Sequence, residues 1–193
     1  SFVNGDLFAF KIAARVAAAK RREAAHVGLK GTAGLDLAMR GLPPGLRSGA
    51  VSGFYPYLSE ISVLELLGRL ASAGWATALP VVVAKDEPLI FRRWSPGEAL
   101  VSGLWGIQIP PGTALEVSPD VLLVPMLAYD ARGYRLGYGG GFYDRTLAKL
   151  RASKKITAIG VAYSGQEVEE VPHDEHDQPL DWIMTERETM KCG

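Results

Sequence analysis

Three short runs of apolar residues constrain the fold of this chain more than any other feature. They span residues 76–84, 120–125 and 156–163. Apolar residues follow one another in these runs instead of alternating with polar ones, which is typical of strands buried on both faces of a sheet. Segments with helical character separate the runs. The order therefore predicts a three-layer α/β protein, in which helices cover both faces of a mainly parallel sheet.

Local patterns predict the remaining elements. Residues 7–30 are alanine-rich and contain no proline, which favours a helix. Residues 60–73 and 142–151 are two further predicted helices, and Gly74 stands where the first of them would end. The glycines and prolines of residues 31–48 predict a loop. The other predictions are short strands at 50–55, 89–91 and 182–185, a turn at 130–133, and irregular pocket-lining structure over most of 85–119.

The composition limits the possible function classes. A chain of 193 residues with 48% apolar side chains suits one globular domain, which we assign to residues 1–193. Basic and acidic residues number 21 each, so net charge does not favour nucleic acid as a partner. No apolar run approaches the roughly 20 residues needed to span a membrane. With Cys192 as the single thiol and no signal-peptide pattern in residues 1–10, we expect a cytoplasmic protein. We also expect it to be monomeric.

The stretch LGYGGGFYDR is the strongest local signal for function. It places Gly137, Gly139, Gly140 and Gly141 between a predicted strand and a predicted helix. Glycines let backbone amides approach phosphate oxygens at the start of a helix, so the stretch is a candidate phosphate site. It matches neither GxxxxGK[ST] nor GxGxxG, which would need glycine in place of Phe142. A glycine-rich turn kept for tight packing is the alternative.

Charged residues beside the glycines indicate what a phosphate site here would need. Arg135 and Arg145 flank the run and could supply positive charge. Asp144 would repel a phosphate unless a cation such as Mg²⁺ lay between them. The alternative for Asp144 is a favourable interaction with the helix dipole, worth about 0.3 to 1 kcal/mol. The charges alone do not choose between the two.

Several motifs together resemble one family. Residues 124–147, VPMLAYDARGYRLGYGGGFYDRTL, resemble the signature of the 5-formyltetrahydrofolate cyclo-ligases, also called methenyltetrahydrofolate synthetases. Further segments resemble that family in the same order: KIAAR at 11–15 with RR at 21–22, FYPYLSEI at 54–61, ALP at 78–80, FRRW at 91–94, GIQIP at 106–110 and PxxxxD ending at Asp177. The resemblance covers most of the chain, from about residue 11 to residue 186.

The resemblance implies a reaction and a fold. The reaction converts 5-formyltetrahydrofolate and ATP into 5,10-methenyltetrahydrofolate, ADP and phosphate, and it requires Mg²⁺. The implied fold is Rossmann-like, of the type found in NagB, RpiA and CoA transferases. Phosphoryl transfer needs positioning and positive charge and no covalent nucleophile, which agrees with the lack of a persuasive Ser-His-Asp or Cys-His arrangement in the sequence.

The resemblance also assigns roles by position. Lys11, Arg135 and Arg145 are the implied catalytic cations, and Asp144 and Asp177 are the implied Mg²⁺ ligands. The positions that match ATP contacts are Lys11, Arg15, Arg135, Leu136, Gly137, Tyr138, Gly139, Gly140, Gly141, Phe142 and Tyr143. The positions that match folate contacts are Tyr55, Glu60, Tyr138, Gly139, Gly140, Gly141 and Phe142. Gly140 departs from relatives that carry lysine there, which leaves more of the phosphate charge to the arginines.

Some residues keep two interpretations. Glu60 could accept paired hydrogen bonds from the donor edge of a pterin, or it could only complement a helix N-terminus. Trp94 and Trp105 could line a pocket or pack in the core. Arg21 and Arg22 are interpreted as the solvated face of a helix rather than as ligand contacts.

Rival chemistries are weaker. His173 and His176 have HxxH spacing beside carboxylates but lack a third strong ligand for zinc, so a solvated acidic loop is the preferred interpretation. A folate- or nucleotide-binding relative without turnover should have a broken lysine or metal position, yet Lys11, Asp144 and Asp177 are present. A sugar-phosphate isomerase of similar α/β fold would need a general base and no ATP.

Overall fold

The computed structural model describes residues 4–193, so residues 1–3 of the predicted domain lie outside it. The helices are α1 (Asn4–Leu29), α2 (Ala33–Arg40), α3 (Leu64–Ser72) and α4 (Phe142–Ser153). The strands are β1 (Ala50–Ser52), β2 (Ala76–Val81), β3 (Ile90–Arg93), β4 (Val101–Ser102), β5 (Gln108–Ile109), β6 (Glu116–Val117), β7 (Val121–Pro125), β8 (Ala128–Tyr129), β9 (Arg135–Leu136), β10 (Thr157–Val161), β11 (Trp182–Met184) and β12 (Thr189–Lys191). Within the described residues, no helix is both long and apolar enough to cross a membrane.

Eight strands form one sheet in the order β12-β11-β10-β7-β1-β2-β3-β6. The five strands from β11 to β2 run parallel to their neighbours, with Val51 of β1 opposite Val121 on one side and Thr77 on the other. The outer strands are antiparallel: β12 pairs with β11 at one edge, and at the other β3 pairs with β2 and the edge strand β6 pairs with β3. The prediction of a mainly parallel α/β sheet is confirmed; the subtype of the fold stays a prediction.

Alternate residues of the central strands pack into separate cores on the two faces of the sheet. On β7, Val121 and Leu123 join the core that contains buried residues of α2 and α3, such as Leu37 and Leu67. Leu122 and Val124 point the other way and join a core that includes Leu147 of α4. Burial on both faces explains why these strands are continuously apolar, and helices on both sides give the three layers.

The prediction of a loop over residues 31–48 is wrong, because α2 lies within it. Glycines end helices here: Gly31 follows α1 and Gly41 caps α2, with φ values of 75° and 74°. Inside α2, Gly34 lets the helix approach the chain before α3, since a Cβ at Gly34 would lie 2.8 Å from the carbonyl oxygen of Ser62. Tertiary packing therefore outweighs the low helix propensity of glycine in this segment.

The predicted helix over residues 60–73 begins four residues later, at Leu64. Residues 57–60 form a turn instead, in which Leu58 has a φ of 53° and the Glu60 amide donates to the carbonyl oxygen of Tyr57. Glu60 is consequently not in the first turn of a helix. The interpretation of Glu60 as a helix N-terminal carboxylate is excluded, and its burial needs another explanation.

Candidate active site

A large cavity of about 1220 Å³ opens at the carboxyl ends of the parallel strands. Tyr55 after β1, Pro80 and Val81 at the end of β2, and Pro125 at the end of β7 contribute to its wall. Ligands of open α/β sheets bind at this edge, where loops leave the strands and helices begin. Its position in the fold alone therefore makes this cavity a candidate ligand site.

The cavity brings together all the residues that the sequence singled out for ligands. Its wall contains Lys11, Arg15, Tyr55, Glu60, Arg135, Leu136, Gly137, Tyr138, Gly139, Gly140, Gly141, Phe142, Tyr143, Asp144, Arg145 and Asp177. They come from α1, from the loop after β1, from the segment that runs from β9 through the glycine loop into the first turn of α4, and from the loop before β11. Residues that are up to 166 positions apart in sequence therefore share one site.

The glycine run forms a tight loop that leads from β9 into α4. Gly139 and Gly141 have φ values of 103° and 69°, which side chains with a Cβ rarely adopt, and Gly141 is the N-cap of α4. Arg15 of α1 lies across the loop and donates from Nε to the carbonyl oxygen of Gly137 at 2.8 Å. The loop is therefore held close to α1 while the start of α4 faces the cavity.

Charged residues gather where α4 begins, in a region that we call the Asp144 end: Lys11, Arg135, Tyr143, Asp144, Arg145 and Asp177. Lys11 Nζ donates to Asp177 Oδ2 at 2.8 Å, and Arg135 Nη1 lies 4.0 Å from Asp144 Oδ1. The amide of Gln178 donates to Asp144 Oδ1 at 3.0 Å, which anchors the loop containing Asp177 beside α4. Two carboxylates and three cations thus meet at one end of the cavity.

Three buried donors at the Asp144 end have no hydrogen-bond partner within residues 4–193: Arg135 Nε, Arg145 Nε and the Tyr143 hydroxyl. Burial raises the pKa of Tyr143, so its hydroxyl keeps its proton and remains a donor. Buried donors are nearly always satisfied in folded proteins, so unpaired ones require an explanation. An anionic ligand with several acceptor oxygens, such as a phosphate chain, would satisfy them if these side chains turned towards the cavity.

The carboxylates of the Asp144 end suit a hard cation that also contacts a ligand. Burial raises the pKa of Asp144, an effect that the charge of Arg135 opposes, so a further cation would stabilise the carboxylate. No group of three or more His, Cys, Asp or Glu residues suited to a metal occurs in the described part of the chain. Mg²⁺ commonly takes one or two carboxylates and completes its shell with water and phosphate oxygens. Asp144 and Asp177 fit that mode.

A second region, which we call the Glu60 end, contains Arg22, Tyr57, Ser59, Glu60 and Tyr138. Glu60 is 6% exposed; its Oε1 accepts from the Tyr57 amide at 2.7 Å and its Oε2 accepts from the Tyr138 hydroxyl at 3.0 Å. Burial raises the pKa of Glu60, while the Tyr57 amide and the charge of Arg22 oppose the rise. A carboxylate in this setting can recognise a ligand edge that carries two donors.

Arg22 is the site residue that sequence reasoning missed. We interpreted it as solvated, but it is 2% exposed and contacts Ser59, Tyr138 and Glu60. The available signal was spacing: positions 11, 15 and 22 fall on one face of a helix, so Arg22 shares the face of Lys11 and Arg15. The neighbouring Arg21 is exposed, as expected.

The two tryptophans have different surroundings. Trp94 is 4% exposed, belongs to a core cluster and donates from Nε1 to the carbonyl oxygen of Glu98, so core packing is correct for it. Trp105 is 64% exposed and lies between β4 and β5, where it lines the cavity and meets the edge of Phe142. The β4–β5 connection accordingly forms an apolar part of the wall, as expected for the irregular middle of the chain.

The two histidines of the acidic loop are separated in their contacts. His173 stacks on Tyr134 with ring centroids 3.6 Å apart, whereas the His176 side chain is 85% exposed. The loop supplies Asp177 to the cavity. Its histidines do not form a zinc site with the other residues that the structure describes.

Known proteins resemble this chain in both sequence and fold. Residues 11–186 match the 5-formyltetrahydrofolate cyclo-ligase family. A 5-formyltetrahydrofolate cyclo-ligase of Escherichia coli K12 is 35% identical over 148 residues, which cover 74% of this chain and 81% of that protein. One of Mycolicibacterium smegmatis is 36% identical over 160 residues, which cover 77% and 80%.

A solved structure agrees with these sequence matches. The NMR structure of Aquifex aeolicus 5,10-methenyltetrahydrofolate synthetase aligns with a TM-score of 0.77 at 27% identity, and the alignment covers 94% of this chain and 92% of that one. A Mycoplasma pneumoniae 5,10-methenyltetrahydrofolate synthetase, 24% identical with a TM-score of 0.66, shares the fold. Together with the cavity at the strand ends, these matches show that the chain belongs to the 5-formyltetrahydrofolate cyclo-ligase family.

Proposed function

We propose that this protein cyclises 5-formyltetrahydrofolate to 5,10-methenyltetrahydrofolate at the expense of ATP, with ADP and phosphate as the other products. The observation that carries the proposal is one large cavity with two chemically different ends. Unpaired buried donors and two carboxylates suit Mg-ATP at the Asp144 end. The carboxylate of Glu60 suits the donor edge of a pterin at the other end. Both substrates would then meet above the glycine loop.

The proposed chemistry has two steps. The formyl oxygen attacks the γ-phosphorus of ATP, the bond from phosphorus to the bridging oxygen breaks, and ADP leaves. N10 of the folate then attacks the formyl carbon, phosphate departs with the formyl oxygen, and N10 loses its proton. The first step converts the formyl oxygen into a good leaving group, which is why ATP is needed for a ring closure between two atoms of one molecule.

The residues of the cavity would position the reactants and balance charge. Lys11, Arg135 and Arg145 would neutralise the phosphate oxygens, and the first amides of α4 would donate to them. Arg15 keeps the glycine loop against α1, so the loop stays between the two ligands. No side chain has to form a covalent bond, because in-line phosphoryl transfer depends on orientation and on charge.

Two groups of the wall have supporting roles in this proposal. Asp144 and Asp177 would hold Mg²⁺, which when bound supplies positive charge to the phosphate oxygens. Trp105 and the other apolar residues between β4 and β5 line the cavity, and they would limit the access of water to the phosphorylated folate. A cytoplasmic location and a monomeric state stay predictions from the sequence.

An absorbance assay tests the proposal. Purified protein mixed with 5-formyltetrahydrofolate, ATP and Mg²⁺ should develop methenyltetrahydrofolate absorbance and release one ADP for each product formed. Controls omit ATP or the folate, and neither should produce a signal. Binding of both ligands without turnover would favour a non-catalytic relative. Absence of folate binding and of ATP use would sink the proposal and reopen the sugar-phosphate isomerase alternative.

A further inference from the structure

Arg22 is a buried arginine that touches the cavity only through its neighbours. It lies on α1, is 2% exposed, and contacts two residues of the cavity wall, Tyr138 and Glu60. A buried guanidinium is unfavourable unless its charge and donors are satisfied. The role of Arg22 can therefore be inferred from the residues that satisfy its charge and its donors.

The contacts of Arg22 connect three segments of the chain. Nε donates to Ser59 Oγ at 2.9 Å, Nη1 donates to the Tyr138 hydroxyl, and Nη1 lies 4.0 Å from Glu60 Oε2. The guanidinium carbon also lies 5.5 Å from the centre of the Tyr138 ring. Helix α1, the turn before α3 and the glycine loop are thus joined at one side chain.

These contacts fix the direction of the Tyr138 hydroxyl. Arginine has five donors and no acceptor, so the hydroxyl oxygen must accept from Arg22. Its single proton is then free to point at Glu60 Oε2, 3.0 Å away. The other Glu60 oxygen accepts from the Tyr57 amide. Arg22, Tyr138 and Glu60 consequently form one chain of bonds in which the Glu60 carboxylate is the final acceptor.

We infer that Arg22 is a positioning residue for folate recognition: it orients Tyr138 and Glu60 so that the Glu60 carboxylate is presented to the donor edge of the pterin. The inference rests on the proposed assignment of the folate to Glu60. Without Arg22, the hydroxyl of Tyr138 could rotate, the glycine loop would lose a tie to α1, and Glu60 would stay buried without its nearest positive charge. Each change weakens the folate site, whereas the Asp144 end keeps its own contacts.

The matched variants are Arg22→Met and Arg21→Met, because the two arginines are adjacent on α1 and Arg21 is exposed. In Arg22→Met we expect the KM for 5-formyltetrahydrofolate to rise about tenfold, as for loss of one charged hydrogen bond, with the KM for ATP within about twofold of wild type. Arg21→Met should match wild type in both. Equal increases in both KM values, or an unchanged folate KM in a folded Arg22→Met protein, would overturn the inference.

Tyr138 provides a second test that does not depend on the stability of Arg22→Met. Tyr138→Phe keeps the ring in the cavity wall and removes the hydroxyl between Arg22 and Glu60. It should raise the folate KM selectively, and the double variant should be little worse than Arg22→Met alone, since both changes break the same chain. An unchanged folate KM in Tyr138→Phe, or simple multiplication of the two effects, counts against the inference.

Two further comparisons separate this inference from its premises. Arg22→Lys keeps the charge but cannot bond Ser59 and Tyr138 in the same geometry, so its folate KM should lie between those of wild type and Arg22→Met. A role in folding alone would instead lower the melting temperature without a selective change in folate KM. If the wild-type protein neither binds nor converts 5-formyltetrahydrofolate, the proposed function fails first; if it does and Arg22→Met leaves the folate KM unchanged, only this inference fails.

Discussion

At the Glu60 end of the cavity, both oxygens of Glu60 and the hydroxyl of Tyr138 have partners inside the protein, whereas at the Asp144 end three buried donors lack one within residues 4–193. The ion pair of the Glu60 end is also more deeply buried than the Lys11–Asp177 pair, with the side chains of Arg22 and Glu60 at 3% and 5% exposure against 18% and 15%. The polar groups are therefore already paired at the Glu60 end, whereas donors are left unpaired at the Asp144 end.

The difference concerns what must change when a ligand arrives. At the Asp144 end an anion would pair with donors that now lack a partner, but protein atoms cover these donors, so the side chains of Arg135, Tyr143 and Arg145 must shift to meet it. At the Glu60 end, a ligand must share or replace bonds that the protein makes to itself, so selectivity depends on how well it reproduces them. We expect the Asp144 end to control the rate of phosphoryl transfer and the Glu60 end to control the choice of substrate.

Removal of divalent cations should have the largest effect on activity. It should abolish the function of the Asp144 end and leave ligand binding at the Glu60 end intact. Chelation should lower ADP release by about 100-fold or more. Without a cation between them, the carboxylates of Asp144 and Asp177 would repel the phosphates of ATP. Added Mg²⁺ should restore activity. Calorimetry on the chelated protein should still detect 5-formyltetrahydrofolate binding. Loss of folate binding on chelation would contradict the division into two ends.

An aspartate pair tests the same point without a chelator. Asp144→Asn removes a carboxylate from the cavity, whereas Asp36→Asn changes an exposed residue on α2. The first should raise the Mg²⁺ concentration needed for half-maximal activity, and the second should leave it unchanged. An identical Mg²⁺ dependence in Asp144→Asn and wild type would remove Asp144 from the metal site.

Lys11→Ala should produce the next largest effect, confined to the Asp144 end. Lys11 donates to Asp177 at 2.8 Å and lines the cavity, so its loss removes one cation from the ATP site. We expect the KM for ATP to rise roughly 10- to 100-fold, with little change in folate KM or melting temperature. Lys20→Ala on the exposed face of α1 is the control. An unaltered ATP KM in Lys11→Ala rules out its proposed role.

The Glu60 end should respond to acid. Burial raises the pKa of Glu60 above its ordinary value of 4.5, and under the proposed function the carboxylate is the form that would accept hydrogen bonds from the pterin. As pH falls through that raised pKa, Glu60 gains a proton and folate binding is lost; kcat/KM for the folate at saturating ATP should fall about tenfold per pH unit below it. The charged groups that act on Glu60 are Arg22 and Arg135, and burial raises the pKa of Tyr138, so its phenol does not titrate in this range.

Glu60→Gln separates this titration from other groups. The amide keeps the size of the side chain but does not ionise, so the variant should start with a low kcat/KM and lose the acid dependence seen in wild type. The measurement is a pH profile of kcat/KM for 5-formyltetrahydrofolate in both proteins. An acid limb that persists unchanged in Glu60→Gln would assign it to another residue.

The sequence was sufficient for the features that repeat a simple pattern. Continuous apolar runs identified β2, β7 and β10, and the glycine run with Asp144 identified the start of α4. It was insufficient where packing decides. Helix α2 packs closely against the chain before α3 because Gly34 has no Cβ to meet Ser62, and Glu60 lies in a turn that no periodicity indicates.

Arg22 illustrates the limit for charged residues. Arg21 and Arg22 are neighbours in the sequence, so the residues around them do not show which of the two side chains is buried. What distinguishes them is a tyrosine 116 positions later, at the other side of the contact. Helical spacing places Arg22 on the face of Lys11 and Arg15, but only the tertiary structure brings Tyr138 to α1 and shows which residues Arg22 contacts.

The smallest effect is expected at Gly140, and it tests whether the Asp144 end tolerates change in its wall. A Cβ at Gly140 would lie 2.7 Å from Cε2 of Phe142, so the ring must move. That ring packs under Arg145, whose guanidinium carbon is 5.3 Å from its centre and whose Nη2 donates to the carbonyl oxygen of Gly140 at 2.5 Å. Gly140→Ala therefore displaces a phosphate-site arginine through an aromatic ring, and it does so without backbone strain because φ at Gly140 is not positive.

The expected result of Gly140→Ala is about 1 kcal/mol less stability and an ATP KM raised about fivefold, with the folate KM changed less. Gly112→Ala is the matched control, since a Cβ there meets no atom within 4 Å in the described structure. Phe142→Leu in the Gly140→Ala background should recover part of the loss, because a smaller side chain makes room for the methyl group. If the folate KM changes more than the ATP KM, Phe142 contributes to the Glu60 end and not to the Asp144 end, and the division of the cavity wall into two ends must be revised at this residue.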